Sequence, residues 1–341
     1  MPGISVLIAC RDEADTLWFT LQSLQMHTRG PLVERDGMEI VVADNDPGAK
    51  TCGRTVQQIC AAFANARFPV RYVAAGEVKS VYFPRNQAAA AAQGEHLIFL
   101  DAHVLLTPDT IEALHRLFLS RPGLDGLDTH ALLPDLYLAH IPIAFDDPSC
   151  LLGPYKLRLH GDFWGEWTPM SELPPPRNDA RLKVATYPIA ASGLWCYSTP
   201  KAAWEAVRGY NPWFTGYSGG EVYLELKYWL LGGHVMLVQA QENEQETISG
   251  VHWSAPRRYQ VLRDESIRDI LLAVSVVAPD CLDEVGHTLQ TSLKTDSSTM
   301  AALREQGCDD GAEEARWMLE NRKYADTAAL EASWRKNGVF F

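Results

Sequence analysis

Long hydrophobic runs are missing from this sequence of 341 residues. The longest late apolar stretch, ILLAVSVVA at Ile270–Ala278, falls well short of the roughly 20 residues a helix needs to cross a bilayer. No basic leader with a cleavable apolar core precedes the first strand pattern in MPGISVLIACRDE, so no export signal is visible and a soluble chain is expected. Cysteine pairs are lacking as well. The seven cysteines (Cys10, Cys52, Cys60, Cys150, Cys196, Cys281 and Cys308) are scattered without a C-x-x-C, which disfavours a zinc or redox centre and suits reduced thiols in the cytoplasm. Positive charge is scarce. With 30 Lys and Arg against 43 Asp and Glu, the net charge of −13 makes nucleic acid a disfavoured partner, although a local basic groove remains compatible with it. Internal repeats and low-complexity tracts are absent, which excludes solenoid and fibrous arrays.

What is present reads as an enzyme-sized globular chain, with 47% hydrophobic and 21% charged residues. Its length allows one large α/β domain or two ordinary ones. Short β-branched runs at 4–10, 38–44, 69–75 and 96–103 alternate with helical patterns near 13–26, 51–64 and 86–92. This predicts an α/β fold with a mixed, mostly parallel sheet flanked by helices. Ligands on such sheets bind at the carboxyl ends of the strands. Three of those ends are polar (CRDE, DNDPG and DAH) and are candidates for one cleft, although polar turns are also ordinary after strands. From 121 to 186 the pattern gives way to a stretch rich in Pro and Trp, read as long loops that serve a substrate. Order resumes with a helix from Pro200 and a strand at 234–240, and from about Pro256 the chain reads as helices broken by polar loops.

The run HLIFLDAHVLL carries the sharpest signal. In extended backbone, residues two apart point the same way, so Asp101 and His103 can converge just past the sheet edge. A carboxylate oxygen with an imidazole nitrogen suits a borderline divalent ion such as Mn²⁺ better than Mg²⁺ or Ca²⁺. Two ligands alone are too few, so the ion would arrive with further ligands and a diphosphate. The plain alternative is a capping Asp with an incidental His ahead of the helix that starts at Pro108. Glu221, in SGGEVYLE, is placed in the first turn of a helix, where the dipole favours its ionised form. Glu225, one turn later, lies on the same face, and both are candidates to reach the cleft.

The stretches FLDAHVLLTPD, ASGLWCYSTPKAAWEAVRGYNP, GYSGGEVYLELKYWLLGGHV and GVHWSAPRRY follow one another in the order found in a known family. Together they make the chain resemble the GT-A-fold, family 2-like glycosyltransferases, most closely the catalytic domain of the polypeptide N-acetylgalactosaminyltransferases. The resemblance runs over about residues 4–259. It implies that Asp101, His103 and His252 hold Mn²⁺ or another divalent cation, which in turn holds the diphosphate of a UDP-sugar donor. Asp44 and Arg11 are placed by it near the nucleotide, and Arg257, Arg258 and Tyr259 in a loop over the diphosphate. Asp101 and Glu221 take the catalytic roles. Trp164, Trp167, Gly193, Gly219, Gly220 and Glu225 are expected at the sugar or acceptor.

The domain organisation that follows is a GT-A catalytic domain over 1–260, with a nucleotide-sugar half at 1–120 and an acceptor half at 121–260. A helical C-terminal extension occupies 261–341. The activity implied is hexosyl transfer with retention, from a UDP-sugar of the GalNAc, GlcNAc or Glc type to a hydroxyl of a protein or glycan. The alternatives are the same donor chemistry on a polysaccharide, a lipid-linked glycan or a hydroxylated nucleic-acid base, or a GT-A module that binds without catalysis.

Overall fold

The computed structural model of the chain describes residues 2–341 except 29, 77–79, 121–132, 134, 146–149, 180–182, 242–247 and 253–261. The chain runs β1 (Ile4–Cys10), α1 (Ala14–His27), α2 (Pro31–Asp36), β2 (Met38–Asp44), α3 (Val56–Phe63), β3 (Val70–Ala74), α4 (Phe83–Ala91), β4 (His96–Asp101), β5 (Val104–Leu106) and α5 (Thr110–Ser120). It continues through β6 (Tyr137–His140), β7 (Ile143–Phe145), β8 (Leu151–Arg158), β9 (Trp164–Pro169), β10 (Arg177–Asp179), β11 (Val184–Pro188), β12 (Cys196–Pro200) and α6 (Lys201–Ala206). Then come α7 (Gly220–Leu230), β13 (His234–Ala240), β14 (Gly250–His252), α8 (Arg263–Val277), α9 (Leu282–Leu293), α10 (Ser297–Asn321) and α11 (Thr327–Asn337).

β1, β2 and β4 are apolar on both faces and almost wholly buried, as central strands between two helical layers must be. They form the parallel core of a sheet ordered β10-β11-β13-β6-β12-β4-β1-β2-β3. Beyond β4 the direction changes, because β12 runs antiparallel to both β4 and β6. A second sheet is ordered β5-β14-β7-β8-β9, and its β5 follows β4 after a two-residue turn. α3 starts at Val56, later than the periodicity predicts. Thr55 and Gln58 close a capping box there, while Thr51 and Arg54 pair across a tight turn that cannot be helical.

Two expectations are corrected. The apolar run 96–106 is not one strand: β4 ends at Asp101, the chain turns at Ala102 and His103, and β5 joins the second sheet. Val104 and Leu106 are as buried as the residues of β4, so an apolar run cannot reveal the change of sheet. The described residues of 121–186 are not chiefly loop either, since they supply β6 to β11. β8 shows why this was hidden: Gly153 and Pro154 interrupt it, and its pairing with β9 shifts register between Leu152 and Tyr155.

The C-terminal helices pack onto the same body. Lys227 of α7 is wholly buried, donates to the Gly209 carbonyl at 2.9 Å and pairs with Glu314 of α10. Trp334 of α11 is fully buried with its ring 5.9 Å from that of Trp229. All seven cysteines are free thiols. Among the described residues no helix is long and apolar enough to cross a membrane.

Candidate functional site

The carboxyl ends of β1 and β4 open into a cleft lined by Arg11 and Glu13 after β1, Asp101 and His103 after β4, and Tyr82 and Arg85 at the start of α4. Tyr217, Glu221 and His252 complete the lining. His252 gets there by strand register: β14 pairs antiparallel with β5, and His252 lies opposite Val104, the residue after His103. Asp101, His103 and His252 each present a ligand atom within 4.8 Å of the others. The Nε2 atoms of the two histidines are 2.9 Å apart. Two imidazole nitrogens bound at right angles to one ion at ~2.1 Å would be ~3.0 Å apart.

Glu13 sets up this arrangement from behind. Its Oε1 lies 2.8 Å from His103 Nδ1, so Nδ1–H donates to the carboxylate and Nε2 faces His252. Burial by itself would lower the His103 pKa, but the hydrogen bond and charge of Glu13, with Asp101 nearby, raise it. Arg85, almost wholly buried, pairs with Asp101 Oδ1 at 2.5 Å and so fixes that carboxylate. The second oxygen, Oδ2, can serve a cation. Glu13→Ala should therefore weaken Mn²⁺ binding by roughly 10–100-fold while the fold persists, as read by electron paramagnetic resonance titration of free Mn²⁺. Unchanged affinity would mean that His103 orients itself without the carboxylate.

Glu221 enters from the first turn of α7. The turn before it is closely built: Gly219 has φ +84°, and a side chain on Gly220 would begin 2.3 Å from the Tyr82 ring. Tyr155 of β8 donates its hydroxyl to Glu221 Oε2 at 3.0 Å. Burial pushes the Glu221 carboxyl up to about 7, against the opposing pull of Tyr155 and Arg85. A carboxyl poised near neutrality at a cleft is suited to holding or exchanging a proton with a hydroxyl.

Of the residues expected from sequence, Asp101, His103, His252, Glu221 and Arg11 meet in this cleft. Glu225 does not reach it. Helical spacing does put it one turn from Glu221, but its carboxylate is wholly buried, accepts from Ser192 N at 2.7 Å and lies 3.1 Å from His140 Nε2. Asp44 is also wholly buried, held by Asp46 N at 3.0 Å and the Tyr72 hydroxyl at 3.1 Å, and its neighbour Asn45 lines the cleft instead. Trp167 packs edge-on against Tyr155 and Phe145. Trp164 lies farther out, in a groove shared with Ser218 and with α8 and α9. Gly193, Gly219 and Gly220 act by leaving room, for Trp167, the Asp269 carbonyl and Tyr82 respectively. Arg257, Arg258 and Tyr259 lie outside the described residues.

Four site residues were missed. Glu13 stands in the CRDE strand end and was open to inference from it. Tyr82, Arg85 and Tyr155 carry no local signal, because tertiary packing alone brings them to Glu221 and Asp101.

Residues 5–124 match the family model Glycosyl transferase family 2. Polypeptide N-acetylgalactosaminyltransferase 6 of Mus musculus is 28% identical over 244 residues, 70% of this chain and 36% of that protein. Its Homo sapiens counterpart is 28% identical over 242 residues, 69% of this chain and likewise 36% of that protein. The chain thus spans little more than a third of the length of these curated relatives. Among solved structures, GalNAc-T7 with UDP, GalNAc and Mn²⁺ superposes with a TM-score of 0.60 at 15% identity, covering 94% of this chain and 56% of that one. S. aureus TarS 1–349 in complex with UDP-GlcNAc gives 0.52 at 14% identity, covering 99% and 92%. At such identities the superpositions speak for the fold. The chain has a fold of the GT-A type, and its first third, residues 5–124, is similar to the family 2 glycosyl transferases.

Proposed function

We propose that the chain transfers a sugar of the GalNAc, GlcNAc or Glc type from a UDP-sugar to a hydroxyl of a protein or glycan, with retention at the anomeric carbon. The observation that carries this reading is the convergence of Asp101, His103 and His252, braced by Glu13 and Arg85, at the strand ends of a GT-A sheet. One carboxylate oxygen and two imidazole nitrogens fit a borderline divalent cation such as Mn²⁺, and these three residues would hold it. When bound, such an ion supplies positive charge against the diphosphate as the sugar–phosphate bond breaks.

The chain's own residues do the rest. Arg85 keeps Asp101 turned toward the cleft, and Glu13 keeps the lone pair of His103 facing inward. Arg11 adds a positive charge on the nucleotide side, with Asn45 and Ser80 offering polar contacts nearby. Glu221, oriented by Tyr155, holds the hydroxyl of the acceptor or the sugar through its carboxyl group. Retention is favoured by the combination of D-x-H, G-G-E and a distant histidine. Relatives that hold UDP, GalNAc and Mn²⁺, or UDP-GlcNAc, support the choice of donor.

The test is UDP release from a panel of UDP-sugars with Mn²⁺ and candidate acceptors, with the product anomer read from proton NMR coupling. Release from one UDP-sugar with an unchanged anomer is expected. Inversion would overturn retention, and no release from any UDP-sugar would remove the donor assignment.

A further inference from the structure

The turn at 215–220 presents Tyr217 and then Glu221 to the cleft, and two different parts of the chain grip it. From the nucleotide half, the Tyr82 hydroxyl donates to Tyr217 O at 2.7 Å and accepts from Gly220 N at 3.1 Å. From the C-terminal layer comes Asp269 of α8, which is wholly buried. Its Oδ2 accepts from Gly216 N at 2.5 Å and its Oδ1 from Thr215 N at 3.4 Å. The neighbouring Arg268 pairs with Asp269, and its Nη2 donates to Trp213 O at 2.9 Å and to Thr215 Oγ1 at 2.5 Å. Asp310 of α10 lies 3.7 Å from the same guanidinium. The backbone fits as closely as the side chains, since a side chain on Gly219 would begin 3.0 Å from Asp269 O and from Ile270 Cα.

We infer that Asp269 is a positioning residue for the reaction: through the amides of Thr215 and Gly216 it fixes the turn that sets Glu221 against the cleft, and so makes α8 a working part of the site. This rests on the glycosyl-transfer reading. A buried carboxylate that accepts two main-chain N–H groups and an Arg side chain is costly to leave in any other arrangement, which gives the turn one position. Nothing of this grip touches Asp101, His103 or His252, so nucleotide binding and turnover should separate when it is loosened.

Asp269→Asn tests this, because the carboxamide matches the shape but presents an N–H₂ to one of the groups that now donates. Calorimetric titration with UDP and Mn²⁺ counts the nucleotide-competent sites, and the rate of UDP-sugar turnover is then expressed per such site. The expected result is UDP affinity within about twofold of the parent and turnover per competent site reduced by at least about tenfold. A merely structural role would reduce the number of sites and leave the rate per site unchanged, and that result would overturn the inference. Thr215→Val, which removes only the hydroxyl used by Arg268, should give a smaller loss of the same kind, and it carries the test if the Asn variant fails to fold. Arg304→Ala, which breaks an exposed ion pair with Asp283 elsewhere in the C-terminal layer, should leave both quantities unchanged. If the parent protein itself neither binds UDP nor turns over, the glycosyl-transfer reading fails first, and that outcome is distinct from the others.

Discussion

Asp101→Ala should lower turnover by roughly 10²–10³-fold, the ~3–4 kcal/mol typical of losing one preorganised electrostatic group at a transition state. The same substitution should also cost stability, because Asp101 has a second task. Arg85 is almost wholly buried, and its guanidinium pairs with Asp101 while also donating to the carbonyls of Val81 and, at 3.4 Å, Leu194. Removing the carboxylate leaves a buried cation with main-chain partners only, at a cost of roughly 3–5 kcal/mol. Asp101→Asn separates the two effects, since it retains an oxygen for Arg85 and loses the charge. It should unfold at a temperature near that of the parent yet be nearly as inactive as the Ala variant. If either variant keeps full activity in the presence of Mn²⁺, the role given to Asp101 is wrong.

Glu221→Gln should move stability and activity in opposite directions, and the stability change should depend on pH. The carboxyl is pushed up to about 7 in the folded chain from an ordinary value of 4.5, so between those values the folded state holds the proton more tightly than the unfolded state does. The stability that this group contributes is therefore highest below about 4.5 and falls as pH rises toward 7, by roughly 3 kcal/mol in all. Glutamine stays neutral and escapes that loss. The variant should melt above the parent at pH 8, with the difference shrinking to nothing near pH 4.5. Turnover should fall by roughly 10–10²-fold, because a neutral amide makes a weaker hydrogen bond to the hydroxyl that the carboxyl group holds in place. A melting difference of the same size at every pH would show that Glu221 is not held near neutrality by burial.

The sequence made some parts of this arrangement legible and hid others for physical reasons. β1, β2 and β13 match the apolar runs residue for residue, because central strands need little beyond β-branched content and burial on both faces. Asp101 and His103 were readable as polar residues ending such a run. Their convergence does not come from extended backbone, however, because the chain turns between sheets at that point. His252 depends on a pairing between β14 and β5 across more than a hundred residues, a register that no local pattern encodes. Glu225 illustrates the opposite error. Helical periodicity correctly puts it on the face of Glu221, but does not say that this face turns inward after one turn, where Ser192 and His140 wait. Tyr155 was hidden because Gly153 and Pro154 break the strand pattern of β8, which therefore reads as loop.

The central claim is that Asp101, His103 and His252 form a divalent-cation site shared with a sugar-nucleotide diphosphate. Calorimetric titration of the protein with UDP, with and without Mn²⁺, tests it most directly. The account predicts saturable binding that is strong with Mn²⁺ and at least tenfold weaker without it. Equal affinity under both conditions, or no binding under either, would contradict it.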